Sequence, residues 1–190
     1  MDIWDDQLIE LAVKIHHRRN EVLRKISELA GQIYAKITSG TETFSAYYCV
    51  FDKDNTEIEF YRKWYQQRLF EGRNNDIRRG NTEFGPHKDD INFIIDDYEA
   101  KLFGSQGQQR TAVLSLKLAE IEMMKNITGE YPILLLDDVM SELDGQRRER
   151  LIKEIDGKIQ TFMTGTEIAI GLEKVTATYY SVSAGVVERM

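Results

Sequence analysis

The stretch Gly104-Ser105-Gln106-Gly107-Gln108-Gln109-Arg110 opens a long apolar periodic segment over residues 111–125. A turn at Thr128-Gly129-Glu130 then leads to Ile133-Leu134-Leu135-Leu136, followed by Asp137-Asp138-Val139-Met140-Ser141-Glu142-Leu143-Asp144. Four apolar residues in a row, ended abruptly by two carboxylates, suit a central parallel strand. Such strands are covered on both faces, so they read as continuous rather than alternating apolar runs. In open α/β sheets ligands sit beyond the carboxyl ends of the strands, where Asp137 and Asp138 fall. Carboxylates there can hold Mg²⁺ and orient a water against a terminal phosphate. Ordinary turn chemistry also places Asp at strand ends.

The Ser105 segment adds to this. It offers a hydroxyl, amide side chains and unencumbered backbone N–H groups at the start of a helix. The first N–H groups of a helix are unpaired and the dipole is positive there, so the place suits an anion. Alone, Ser105 reads as a simple N-cap. Ser-x-Gly-Gln, a helix, a strand ending in two acids and Ser-x-Leu-Asp together resemble the second half of an ABC-type ATPase head. In detail the chain resembles the RecF family of bacterial recombinational repair ATPases, which is of the ABC and SMC-like class. Gly85-Pro86-His87-Lys88-Asp89-Asp90 upstream carries the same resemblance.

Composition sets wide bounds. The chain has 190 residues, 42% hydrophobic and 30% charged, and can bury a real core. It has no apolar run of membrane-spanning length and no basic-then-apolar leader, so a cytoplasmic protein is expected. One cysteine, Cys49, excludes an internal disulfide and any multi-cysteine metal site. The net charge of −7 is not that of a protein that coats nucleic acid, so any basic surface must be local.

Along the chain, residues 2–36 read as one long helix or two consecutive ones. The apolar stripe falls on Trp4, Leu8, Leu11, Ile15, Val22, Ile26, Leu29, Ile33 and Ile37. His16-His17-Arg18-Arg19 is a basic knot, either a solvated face or a nucleic-acid contact. Residues 44–51 read as an aromatic strand and Asp52-Lys53-Asp54-Asn55 as a turn. Residues 56–79 return to helix, with Ile58, Tyr61, Tyr65 and Leu69 on the buried side. Its basic residues, interleaved with Tyr61, Trp64 and Tyr65, suit either phosphate contact with base stacking or an ordinary amphipathic helix. Gly80 to Glu83 reads as a hinge. A hairpin over 91–103 delivers the chain to Ser105, a polar helix occupies 145–158, and strands follow at 160–164, 178–183 and 186–188. The fold expected is α/β: a C-terminal lobe of an ABC-type ATPase head at 83–190, with a mostly parallel sheet and flanking helices. Residues 1–82 form a mainly helical arm with a short strand.

No Gly is followed by Lys and then Ser or Thr, so the P-loop that cradles β- and γ-phosphates is absent. In the family it resembles, that loop precedes everything seen here, and the chain is expected to be the C-terminal portion of such a protein. The resemblance implies ATP and Mg²⁺ as cofactors of the complete protein, with slow hydrolysis. It implies an ATP-dependent homodimer that binds DNA at single-strand–duplex junctions, with RecR and RecO as partners. Asp137 would hold the metal and Asp138 would polarise the attacking water. Ser105, Gln106, Gly107 and Gln108 would face the nucleotide of the opposite subunit, and Ser141 and Asp144 would couple the two sites. Departures from the transporter pattern are Gln106 between Ser105 and Gly107, Asp138 in place of a glutamate, and Gly165-Thr166 where many ABC ATPases carry a histidine. The alternatives are another SMC-like head, or a non-enzymatic interaction module that uses the amphipathic arm.

Overall fold

A computed structural model describes residues 2–48, 58–166 and 175–190. Helix α1 (Asp2–Thr38) is one unbroken helix. Its C-terminal half follows the expected stripe, with Ile33 and Ile37 buried alongside Leu23, Ala30 and Tyr34. The N-terminal half does not. Ile9, Ala12, Val13 and His16 face inward, whereas Trp4 is 73% and Leu11 58% exposed. The reason is the partner helix, α2 (Ile58–Arg79), which presents Tyr61, Tyr65 and Leu69. Arg62 pairs with Glu10, and Arg73 with Asp5 at 2.5 Å, so ion pairs fix the rotation of α1 against α2. Ile58, expected on the buried side, is exposed.

The basic knot divides. His17 and Arg18 are exposed, while His16 is 1% exposed, its ring 4.7 Å from that of Tyr48 and 4.0 Å from that of Tyr61. Burial, with His17 and Arg19 adding like charge, lowers the His16 pKa to about 4.

Strand β1 (Phe44–Tyr48) pairs antiparallel with β2 (Ile91–Ile95), from Phe44 opposite Ile95 to Tyr48 opposite Ile91. Asp96 and Asp97, both at positive φ, turn β2 tightly into β3 (Tyr98–Glu99). The other edge of β1 is covered by α1, where the Ala46 N–H donates to Ser27 Oγ at 2.8 Å. A Cβ on Gly31 would sit 2.9 Å from the Phe44 carbonyl oxygen, so only glycine lets helix and strand approach this closely. The expected end of the aromatic strand, Cys49 and the Asp52 turn lie outside the described residues.

After the short helix α3 (Ala100–Phe103), α4 (Gln106–Thr128) runs along α1 and ends at Gly129 in the left-handed region. Strand β4 (Leu134–Asp137) follows, then a 3₁₀ turn (Val139–Glu142), helix α5 (Gly145–Ile155) and β5 (Thr161–Thr164). β4 and β5 are parallel, Leu134 opposite Thr161 and Asp137 opposite Thr164, with α5 as the crossover. The last strands, β6 (Tyr180–Ser183) and β7 (Val186–Arg189), form a hairpin.

One core joins the second half of α1 to β1, α4, β4 and α5; a second lies between the first half of α1 and α2. Two-sided burial of β4 does not hold. Leu134 and Leu136 point inward, but Ile133 is 58% and Leu135 73% exposed. Among the described residues nothing covers this face. It continues over Val113 and Met124 of α4 as an apolar groove of about 710 Å³. Exposed Ile133, Leu135, Val113 and Met124 thus form one apolar patch. No helix among the described residues is long and apolar enough to cross a membrane.

Two measurements test this packing. Leu136→Ala should destabilise the chain by about 2–4 kcal/mol, because a buried methyl cluster is lost and a cavity remains. Leu135→Ser should leave stability within about 0.5 kcal/mol and reduce self-association in sedimentation. A reversed order in denaturant unfolding would place the wrong face of β4 inward. The second test concerns His16, whose folded pKa lies below its unfolded value near 6.5. Its contribution is complete above pH 6.5 and is lost as pH falls toward 4, by up to about 3 kcal/mol. His16→Leu should flatten this part of the stability–pH curve.

Candidate nucleotide-facing site

Two short segments at neighbouring helix starts form the site. Ser105 sits at φ −62°, ψ 159° as the N-cap of α4. Its Oγ accepts from Gln108 N–H at 3.3 Å, and its own N–H donates to Gln108 Oε1 at 2.9 Å. This reciprocal capping box is a local consequence of Ser followed three residues later by Gln. The Gln109 amide donates to the Ala100 and Gly104 carbonyls at 2.9 and 3.0 Å, fixing the approach from α3. Ser105 and Gln106 are exposed and Gly107 half-buried. The Gln108 side-chain carbonyl is taken up by the cap.

Asp137 and Asp138 are both exposed at the carboxyl end of β4. The Thr164 hydroxyl at the end of β5 donates to Asp137 Oδ1 and accepts from the Asp138 N–H at 3.2 Å. Parallel pairing of β4 with β5 places Thr164 there, opposite Asp137. Asp138 adopts φ 51°, ψ 19°, a left-handed conformation that Asp tolerates better than most residues. It swings the chain into the 3₁₀ turn, and the Ser141 hydroxyl closes the bend by donating to the Asp138 carbonyl at 2.8 Å. Asp144 then caps α5, accepting from Gln146 and Arg147 N–H at 3.0 and 2.9 Å. Ser141 and Asp144 thus hold the shape of the loop that carries them.

Sequence reasoning missed what joins the two segments. Arg110 in α4 pairs with Glu142 at 3.2 Å. The half-buried Arg147 of α5 donates to the Gly107 carbonyl at 2.8 Å and to Thr111 Oγ1 at 2.7 Å. It also meets Asp144 at 3.3 Å and Glu42, between α1 and β1, at 3.1 Å. Glu42 accepts in turn from the Tyr34 hydroxyl of α1 at 2.6 Å, and burial together with that carboxylate pushes the phenol pKa up. Residues 105–110, 141–147 and the end of α1 are one polar network. Asp137 and Asp138 join it through Ser141, on the Asp138 carbonyl. Among the described residues no group of three or more His, Cys, Asp or Glu side chains could form a metal cluster.

Gly85-Pro86-His87-Lys88-Asp89 is fastened to α1 and β1. Arg19 donates to the Tyr48 hydroxyl at 3.0 Å and to the Pro86 carbonyl, and Tyr48 donates to Asp89 at 2.5 Å. Burial and the Asp89 hydrogen bond push the Tyr48 pKa up to about 12; burial raises that of Asp89. His87 is exposed, with Nε2 at 3.1 Å from the Thr82 carbonyl oxygen. Base stacking on Tyr61 and Tyr65 does not fit, since both rings are buried; Arg62 and Arg73 serve acids of α1.

No family model matches the chain. The DNA replication and repair protein RecF of Enterococcus faecalis is 40% identical over 194 residues, spanning 100% of this chain and 52% of that protein. RecF of Halothermothrix orenii is 44% identical over 170 residues, spanning 88% and 45%. The chain thus spans about half the length of the curated relatives it matches. Among solved structures, RecF with ATP, described as a recombination mediator of the RecFOR pathway, superposes with a TM-score of 0.78 at 31% identity. That likeness covers 99% of this chain and 49% of the RecF chain. An SMC ATPase at 16% identity and TM-score 0.52 shares the fold alone. The fold is that of an ABC ATPase C-terminal lobe, and over its whole length the chain matches the C-terminal portion of RecF.

Proposed function

We propose that this chain is the nucleotide-sensing half of an ATP-dependent DNA repair protein, working with a P-loop-bearing half. The observation that carries the reading is the union of the Ser105 helix start with the Asp138–Asp144 loop through Arg110 and Arg147. An isolated cap and an isolated strand-end acid pair have no need to be tied together. Two loops that serve the two nucleotides of one dimer do, since the state of one site has to reach the other.

In the proposed ATP-dependent homodimer, Ser105, Gln106, Gly107 and Gln108 face the γ-phosphate held by the opposite subunit. First-turn N–H groups and the helix dipole supply the attraction. Asp137 has one carboxylate oxygen on Thr164 and leaves the other for Mg²⁺, directly or through water, which fits an ion that takes one or two carboxylates plus phosphate oxygens. Bound there, the metal neutralises charge on the transferring phosphoryl group. Asp138 orients and polarises the attacking water, held in place by its left-handed backbone and the Ser141 hydroxyl. Ser141 and Asp144 carry the state of one site toward the other across the dimer. Residues 1–82 act as a lever arm. The names of the relatives favour a role in DNA repair. We assign the finer role to loading of a recombinase at single-strand–duplex junctions and to replication restart, with RecR and RecO as mediator partners.

Two experiments check this reading. The isolated chain has no P-loop. It should neither bind ATP tightly nor hydrolyse it; steady-state turnover by the purified chain would overturn the division of labour. In the ATP-binding protein, Ser105→Arg places a bulky cation where the heads close. It should abolish ATP-dependent dimerisation while the affinity of the monomer for ATP stays within about twofold, a split the P-loop permits. Ser105→Ala loses the same cap, at about 1 kcal/mol, without the bulk, and controls for stability. Asp138→Asn should slow hydrolysis and lengthen the life of the dimer. Sedimentation with and without ATP reads both directions at once, and a Ser105→Arg protein that dimerises like its parent sinks the assignment.

A further inference from the structure

The guanidinium of Arg147 satisfies four acceptors from three parts of the fold: Gly107 and Thr111 in α4, Asp144 at the cap of α5, and Glu42 between α1 and β1. A planar fork of five fixed donors is suited to this, and an ammonium is not. Arg147 is half-buried, and Glu42 is tied in turn to Tyr34, a fully buried residue of α1. Helix α5 meets the end of α1 twice more. Arg150 donates to the Ile37 carbonyl at 2.9 Å and Glu154 pairs with Lys36 at 2.8 Å. The backbone around the site is therefore braced on one side by α1 itself.

We propose that Arg147 is a positioning residue that locks the two nucleotide-facing loops to each other and, through Glu42 and Tyr34, to the long arm helix. The inference rests on the reading of residues 105–108 and 141–144 as nucleotide-facing. Its content is mechanical. Gly107 gives Arg147 its carbonyl, and the bond fixes the 107–108 peptide unit next to the Gly107 N–H at the start of α4. Asp144 is held from its side chain while its loop meets the other subunit. A shift of α1, such as a ligand on the arm would cause, must either break the Glu42–Arg147 pair or carry both loops with it. Arg110 is exposed and, among the described residues, bonds to Glu142 and not to the arm.

The test uses the complete ATP-binding protein with Arg147→Met, Arg147→Lys and Glu42→Gln. Met keeps the length of the stem and removes every donor. Monomer affinity for ATP should stay within about twofold, whereas the ATP-dependent dimer weakens and kcat falls, each roughly ten- to a hundredfold, with KM little changed. Lys should recover only part of the loss, since one ammonium cannot span the four acceptors. Glu42→Gln keeps the contacts of Arg147 with α4 and Asp144 and loosens only the arm; it should move dimerisation and kcat in the same direction by less. It also serves if Arg147→Met fails to fold. Adding Glu42→Gln to Arg147→Lys should cost less than it does alone. Parental dimerisation and kcat in Arg147→Met, or in Glu42→Gln, overturn the proposal. Ser105→Arg run in parallel separates the failures. If it too dimerises with ATP, the nucleotide-facing assignment is wrong; if it stays monomeric while Arg147→Met does not, only the coupling is wrong.

Discussion

A helix of 37 residues is about 55 Å long, more than one small core can cover, and α1 has to be buried twice along its length. Its first half is held by the tyrosines of α2 and its second half by β1, α4 and α5. Nearly everything else follows from that double burial. Gly31 exists so that β1 can lie against the helix, and Ser27 satisfies the β1 edge that β2 leaves open. The α1 C-terminus needs partners for its last carbonyls, and Arg150 supplies one at Ile37. The same α5 carries Arg147, so the part that seals the end of α1 also braces the site.

The sequence made the site segments legible because their signals are local. A capping box needs only Ser105 and Gln108, and an apolar run stopped by Asp137-Asp138 needs only β4. The rotation of α1 was not legible, although its periodicity was. Leu8 and Ile9, Leu11 and Ala12, Ile15 and His16 offer two stripes one residue apart, and spacing alone does not choose between them. The choice is made by Tyr61 and Tyr65 and by Arg62 and Arg73, which pair with Glu10 and Asp5, all in a helix far along the chain. Arg147 was illegible for the same reason. Its partners Gly107 and Glu42 lie 40 and 105 residues distant, and on α5 it looks like any polar helix residue.

Buried supports and exposed working groups divide the lobe. Thr111 and Ser115 are fully buried, each hydroxyl bonded back to the preceding turn of α4, and Arg147 is half-buried. Ser105, Asp137, Asp138, Ser141 and Asp144 are exposed, yet each is hydrogen-bonded, Asp137 across to β5 and Asp138 through its backbone. Such bonds are worth about 1 kcal/mol apiece. At Ser105, Ser141 and Asp144 the same groups that would meet a nucleotide therefore already hold their own loops, so a loss of stability there does not by itself speak for or against a role in binding.

Charge distinguishes the two readings where stability does not. Asp137 and Asp138 bring two adjacent carboxylates to one strand end, and among the described ion pairs none includes either of them. The nearby arginines are engaged elsewhere, Arg110 with Glu142 and Arg147 with Glu42 and Asp144. Thr164 gives Asp137 a hydroxyl, which is a neutral donor and removes none of the charge. The other acids of the same loop, Glu142 and Asp144, each carry an arginine, whereas Asp137 and Asp138 have no ion pair among the described residues. On the proposed reading, a strand end with two acids and a neutral hydroxyl would suit a divalent ion shared with phosphate oxygens, whose charge the carboxylates would offset.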